Sequence, residues 1–369
     1  MSEITRRSLI GSATMAPLLI GAVADADAHA IGAAVNPDPY SYVDPELAAA
    51  MRKFYGNLDA IDPAYAEAVR KFSGNLGAPN AHDLAVLRAG AKSRSTSDAP
   101  GLQPRRAAVP GPGGDVPVLI IDPRPGMRSR PATIYIHGGG YVMGRADTTI
   151  HRAQDIAQAT DSMVVSVDYT LAPEAVFPKA LEQNYAVLAW LHKNGGQFGV
   201  DPARIAICGD SAGGGHAAML AIAARDRKEF PIAFQCLIYP MLDDRTGSTR
   251  HLPSPFGHFV WTEAENRFGW SSLLGRPAGS KSPPPGSVPA RLKEVRGLPP
   301  TFIGVGSIDL FFAEDIDYAR RLALAGVRTE LFVVPGAYHG FDLVTRDAQL
   351  SVEFRSIWQS ALKRGLGVT

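Results

Sequence analysis

The sequence predicts an α/β fold with a mostly parallel central sheet and helices on both faces. Two observations carry this. Seven short runs rich in apolar and β-branched residues are mostly continuous rather than alternating, which is the pattern of strands buried on both faces. Between them lie segments with apolar residues at helical spacing, so strand and helix alternate repeatedly, as in a doubly wound sheet. At 369 residues, 46% apolar and 20% charged, the chain has the composition of an ordinary globular protein with a large core.

The first thirty residues stand apart. Thr5-Arg6-Arg7-Ser8-Leu9-Ile10 leads into a mildly apolar stretch ending at Val23 and then to Ala28-His29-Ala30. Paired arginines, modest hydrophobicity broken by Gly11, Ser12 and Pro17, and a small-residue end resemble a twin-arginine export signal. The plain alternative is a disordered tail that contains two arginines. On the export reading residues 1–30 are removed and the remainder, 31–369, works in the periplasm or as a secreted protein; otherwise the chain stays cytoplasmic. The apolar stretch is too short for a stable membrane span, and no other segment offers one.

From 44 to about 90 apolar residues recur at helical spacing, with Leu47, Met51, Phe54 and Tyr55, then Leu84, Val86 and Leu87. A Ser-, Pro- and Gly-rich loop at 91–104 follows. The strand runs are 116–122, 133–137, 163–169, 205–208, 234–239, 301–305 and 329–334. Helices are expected at about 148–160, 178–194, 212–228, 313–325 and 348–364. Pro178 opens the second of these, and its apolar face of Leu181, Tyr185, Leu188 and Leu191 stops at Gly195-Gly196. Glu314, Asp315 and Asp317 lie in the first turn of the fourth, where acidic groups favour the helix dipole, and Gly326 ends it. Residues 243–297 break the rhythm with no good strand, many prolines and the aromatics Phe256, Phe259, Trp261, Phe268 and Trp270. An excursion of this length between sheet strands reads as a lid or binding element.

The strongest chemical signal is Gly209-Asp210-Ser211-Ala212-Gly213-Gly214, directly after the 205–208 strand and directly before a small-residue helix. This is a nucleophile elbow, in which a sharp strand-to-helix turn exposes Ser211 and the helix N-terminus lies where negative charge develops. A second signal, His137-Gly138-Gly139-Gly140-Tyr141, ends the 133–137 strand. Acyl transfer needs backbone N–H groups aimed at a tetrahedral oxyanion, and Gly138, Gly139 and Ala212 are the expected donors. His137 reads as a hydrogen-bonded residue holding that loop. A phosphate-binding reading of the triple glycine would need a G-x-G-x-x-G pattern and a distal acid, which are absent.

Gly306-Ser307-Ile308-Asp309-Leu310 and Tyr338-His339-Gly340-Phe341 follow the 301–305 and 329–334 strands, completing the order Ser, Asp, His. A strand-end Asp309 suits acceptance from one imidazole nitrogen of His339, leaving the other to take the serine proton. Asp315 and Asp342 are rivals for the acid. His151, His192 and His216 lie in expected helices and His251 and His258 in the 243–297 excursion; only His339 follows a strand at the carboxyl edge of the sheet, where α/β sites lie.

With these motifs and the stretch Asp168-Tyr169-Thr170-Leu171-Ala172-Pro173-Glu174, residues 40 to 365 resemble the hormone-sensitive-lipase family of bacterial esterases, family IV of the α/β-hydrolase superfamily. The resemblance implies the α/β-hydrolase fold, Ser211, Asp309 and His339 as triad, and Gly138, Gly139 and Ala212 as oxyanion hole. It also implies a helical cap built from about 36–95 and 243–297, and a preference for short and medium acyl chains. Thr170 departs from the arginine usual in the family, which puts a structural contact in question rather than the chemistry.

The implied function is hydrolysis of a small carboxylic ester through an acyl-enzyme, without cofactor or metal. Tyr141, Met143, Phe256 and Trp261 are candidates to line the substrate pocket; equally, the aromatics of the excursion are the cap's own core. The same machinery serves a lactone, carbamate, aryl amide or formamide, and two further readings are a non-catalytic ligand-binding member of the fold and a lid-gated lipase. A net charge of +1, from 37 basic and 36 acidic residues, gives no broad footprint for nucleic acid or an anionic membrane, so the expected partner is a small molecule. No metal-ligand spacing occurs. Cys208 and Cys236 read as buried free thiols, and a disulfide between them requires their strands to be neighbours, which the sequence leaves open. The oligomeric state is likewise open.

Overall fold

The computed structural model describes residues 38–56, 81–93 and 102–368. The export signal expected at 1–30 lies outside the described residues, as do 57–80 of the first expected cap segment. Among the described residues no helix is long and apolar enough to cross a membrane.

The sheet has eight strands: β1 (Arg105–Gly111), β2 (Gly114–Ile121), β3 (Arg130–Ile136), β4 (Met163–Val167), β5 (Val200–Asp210), β6 (Phe234–Ile238), β7 (Thr301–Gly306) and β8 (Thr329–Val334), in the spatial order β1-β2-β4-β3-β5-β6-β7-β8. From β4 onward all neighbours run parallel, and β1 and β2 join antiparallel at one side. Seven strands match the expected runs, and β5 starts five residues earlier than 205. The eighth, β1, is unexpected. Its sequence carries two arginines, a proline and one fully buried residue, Val109, so it shows no continuous apolar run. An edge strand tolerates Pro110 because one side of its backbone needs no ladder partner.

The described α-helices are α1 (Pro45–Gly56) and α2 (Ala81–Ser93) before the sheet, α3 (Ile150–Thr160), α4 (Lys179–Asn194), α5 (Ala212–Arg227), α6 (Glu263–Leu274) and α7 (Phe312–Leu324) between its strands, and α8 (Phe341–Val344) and α9 (Gln349–Gly365) after β8. Their packing explains the continuous apolar runs. Successive side chains of a strand point to opposite faces, so Ile134 and Ile136 join one hydrophobic cluster with Leu188 of α4 and Leu220 of α5. Tyr135 joins the other, with Ile156 of α3 and Trp358 of α9.

Cys208 and Cys236 stand opposite each other across β5 and β6; both are buried and both are free thiols. Thr170 gives its N–H to Gln183 Oε1 at 2.8 Å and its hydroxyl oxygen accepts from Gln183 Nε2 at 2.9 Å, so the two side chains are paired at this position. Within 243–297 the chain forms α6, opened by a reciprocal cap in which Thr262 and Glu265 satisfy each other's backbone N–H. Glu314, rather than standing in solvent at the start of α7, is buried and accepts from Leu242 N at 2.7 Å and Asp243 N at 3.0 Å. It therefore ties the root of the excursion to the first turn of α7, the helix that follows Asp309.

Candidate active site

Each motif residue sits just past the carboxyl end of a strand. Ser211 follows β5 at once, with φ 57° and ψ −125°, and caps α5. Such a backbone is strained for a serine and persists only where the surroundings over-determine it. Here Ser211 N donates to the Ile238 carbonyl at 2.9 Å, while its own carbonyl accepts from Gly215 N and Met241 N, both at 3.0 Å. The turn is also tightly packed against β3: a Cβ at Gly213 would lie 2.0 Å from the Ile136 carbonyl oxygen.

Three residues past β7, Asp309 is fully buried; five past β8, His339 is 4% exposed. A chain of hydrogen bonds joins them to the serine. His339 Nε2 lies 2.9 Å from Ser211 Oγ, and His339 Nδ1 lies 2.9 Å from Asp309 Oδ2. The second carboxylate oxygen, Oδ1, accepts from Phe311 N at 2.8 Å, which fixes the rotation of the carboxylate. Edge-to-face contacts of Tyr239 and Phe311, each with centroids 4.9 Å from the imidazole, confine the ring from its sides. Neither rival acid is hydrogen-bonded to His339. Asp342 accepts from Arg152 Nη2 and Tyr239 OH, both at 2.7 Å, and Asp315 is buried without a hydrogen-bond partner among the described residues. His192 meets the Pro231 carbonyl, His251 meets Glu263, His258 lies against Phe259, and His216 is buried between Tyr141 and Tyr169.

The glycine turn after β3 comes up beside the serine. A Cβ at Gly138 would be 3.2 Å from Ser211 Cβ, and one at Gly139, where φ is 117°, would be 2.2 Å from the Met143 carbonyl oxygen. His137 is buried, its ring stacked on Tyr169 at 4.3 Å; Nδ1 donates to the Gly138 carbonyl at 2.8 Å, and Tyr169 OH donates to the His137 carbonyl at 2.9 Å. Burial pushes its imidazole below the ordinary histidine range. Its place is that of a loop support.

Of the candidate pocket residues, Tyr141 is 1% exposed, and its hydroxyl donates to the Met241 carbonyl at 2.8 Å, which places it beneath the turn as a brace. Met143 is half-buried against Gly139. Phe256 is half-buried and packs on Phe312 with centroids 5.6 Å apart. Trp261 is buried against Gly140, with its indole N–H donating to Asn266 Oδ1 at 3.3 Å. Phe259 and Trp270 are buried as well, Trp270 and Trp261 in one of the two hydrophobic clusters of the fold and Phe259 in the other. Two supports escaped the sequence reading. The Arg152–Asp342–Tyr239 network gathers residues from three distant segments, and Arg88 reaches the glycine turn from α2. No local motif announces either; only the odd placement of arginines in otherwise apolar helix faces hinted at them.

The chemistry available is that of an activated hydroxyl beside an imidazole–carboxylate pair, next to a glycine turn. Comparison with known proteins gives the same setting. A family model described as the alpha/beta hydrolase fold matches residues 133–343. Esterase LipI of Mycobacterium tuberculosis is 36% identical over 239 residues, covering 63% of this chain and 73% of that protein. Carboxylesterase NlhH of the same organism is 34% identical over 255 residues, or 68% of this chain and 79% of its own length. The crystal structure of esterase LipW from Mycobacterium marinum superposes with a TM-score of 0.71 at 34% identity, covering 84% of this chain and 96% of that one. The resemblance to hormone-sensitive-lipase-type bacterial esterases read from the motifs is thus borne out, and the chain belongs to the alpha/beta hydrolase fold family.

Proposed function

We propose that this protein is a carboxylic-ester hydrolase in which Ser211 is the nucleophile, His339 the general base and Asp309 the acid that orients it, acting on small esters of short to medium acyl chain. The observation that carries the reading is the pair of 2.9 Å contacts running from Ser211 Oγ through both imidazole nitrogens to Asp309 Oδ2. The names of LipI, NlhH and LipW support the same class of reaction.

In this mechanism Ser211 Oγ attacks the ester carbonyl carbon while His339 Nε2 takes the hydroxyl proton. Asp309, held by the Phe311 N–H, keeps Nδ1 as the donor and stabilises the imidazolium that forms. The carbonyl oxygen becomes an oxyanion, and the N–H groups of Gly138, Gly139 and Ala212 donate to it. Collapse expels the alcohol, which takes the proton from Nε2. Water then adds to the acyl-enzyme with His339 again as base, releasing the acid and restoring Ser211. The chemistry requires no cofactor or metal. Residues 36–95 and 243–297 form the cap over this site, and the first thirty residues direct export.

A series of p-nitrophenyl esters from acetate to palmitate, with Ser211→Ala made in parallel, tests the reading. Hydrolysis that peaks at short or medium chains and disappears in the variant is the expected result; full activity in the variant refutes Ser211 as nucleophile.

A further inference from the structure

Residues 138–143 carry two of the three proposed oxyanion donors, and a turn with three successive glycines has little stiffness of its own. Its stiffness has to come from what it touches. One partner is Arg88, some fifty residues earlier in the chain on α2, a helix seated on the core through buried Leu84 and Leu87. Arg88 Nε donates to the Val142 carbonyl at 2.7 Å and Nη2 to the Ala172 carbonyl at 2.7 Å. Nη1 and Nη2 also grip the Glu174 carboxylate at 2.7 and 3.1 Å.

The peptide unit between Val142 and Met143 makes this more than a surface ion pair. At one end its carbonyl accepts from Arg88. At the other end Met143 N donates to the Gly139 carbonyl at 2.9 Å, beside Val142 N, which donates to the same oxygen at 3.0 Å. Gly139 is thus two hydrogen bonds from Arg88. The loop carrying Ala172 is bound in as well, since Ala172 N donates to the Tyr141 carbonyl at 2.9 Å. The ion pair itself counts for little, because the Glu174 side chain is 60% exposed. What matters is a rigid, planar donor that spans two carbonyls on two loops and is aimed by the carboxylate.

We propose that Arg88 is a positioning residue for the oxyanion turn, holding the Val142 carbonyl so that the Gly139 N–H stays aimed at the transition state. Through it, docking of the N-terminal helix α2 is coupled to the rate of the chemical step. The inference rests on the esterase reading above.

The test compares the wild type with Arg88→Lys, Arg88→Ala and Ser211→Ala on p-nitrophenyl butyrate, with melting temperatures and with the inhibition constant of a trifluoromethyl ketone of matching chain. The ketone adds to a nucleophilic serine and leaves an oxyanion in the hole, so it reports the turn as KM does not. In Arg88→Ala, kcat is expected to fall about 10- to 100-fold, the cost of a small misplacement, with KM within about threefold of wild type. The inhibition constant is expected to rise in step with the loss in kcat/KM. Arg88→Lys keeps the charge but cannot span both carbonyls, so it is expected to recover only a small part; should Arg88→Ala fail to fold, Arg88→Lys carries the same comparison.

Wild-type rates in Arg88→Lys, or a raised KM with kcat and ketone binding intact, would overturn the proposal. A wild type that hydrolyses no ester overturns the esterase reading and this inference with it, whereas an active wild type matched by its Arg88 variants overturns this inference alone.

Discussion

The indole of Trp261 fills the space that a side chain at Gly140 would need, since a Cβ there would lie 2.0 Å from the ring. Gly140 also has φ 58°, a conformation that costs an L-residue about 1 kcal/mol or more. Trp261 comes from the 243–297 excursion and Gly140 from the turn after β3, so excursion and turn are packed against each other with nothing to spare. Gly140→Ala is expected to lower kcat/KM on the order of tenfold or more by displacing the turn. Adding Trp261→Ala should restore part of the loss, because the clash is relieved while the backbone strain remains. Equal rates in the single and double variants would locate the damage in the backbone alone.

Asp309 has one oxygen on His339 and the other on the Phe311 N–H. Asp309→Asn keeps the shape but presents an amide that favours the wrong imidazole tautomer. The expected fall in kcat is on the order of ten-thousandfold, with KM and melting temperature near wild type. A loss of under about tenfold would transfer the orienting role elsewhere, and Asp315 would be the first residue to examine.

Arg152 and Asp342 form an ion pair with side chains 1% and 0% exposed, completed by Tyr239 OH. A charge left without its partner at such a site costs several kcal/mol. Arg152→Met should therefore lower the free energy of unfolding by about 3–5 kcal/mol in urea titration. Since Tyr239 also contacts the His339 ring, a drop in kcat should accompany it. Stability within about 1 kcal/mol of wild type would show that Asp342 is neutralised by other means.

Burial, reinforced by neighbouring His137, pushes the His216 imidazole down to about 3. The unfolded chain binds a proton on this histidine near the ordinary value, about 6.5, while the folded chain refuses it. Above that value neither state is protonated and the residue is neutral for stability. As the pH falls from about 6.5 toward 3 the unfolded state is favoured, by about 1.4 kcal/mol per pH unit. His216→Leu should flatten the loss of stability between pH 6 and 4 by about one proton's worth. His137, also lowered by burial, keeps some acid sensitivity in the variant. An unchanged slope would mean that His216 is protonated in the folded protein.

The residues of the candidate site were legible because each belongs to a local pattern that its strand makes meaningful: Ser211 between a β-run and a small-residue helix, Asp309 and His339 in loops just past β-runs. The central strands were legible for the same reason, as burial on both faces leaves continuous apolar runs. β1 was not, since an edge strand with one fully buried residue looks like a loop. α6 hid inside a proline-rich stretch, although Thr262 and Glu265 carry the spacing of a reciprocal helix cap. Arg152, Asp342 and Tyr239 meet only through tertiary folding, and so do Arg88 and Val142. Chain proximity says nothing about such pairs.

The most direct measurement is to treat the protein with a p-nitrophenyl phosphonate, follow p-nitrophenol release and locate the adduct by peptide mass spectrometry. Release of one equivalent, a single adduct on the peptide bearing Ser211 and parallel loss of ester hydrolysis are the predicted result. An adduct on another residue with Ser211 unmodified, or hydrolysis that survives full labelling of Ser211, would contradict its role as nucleophile.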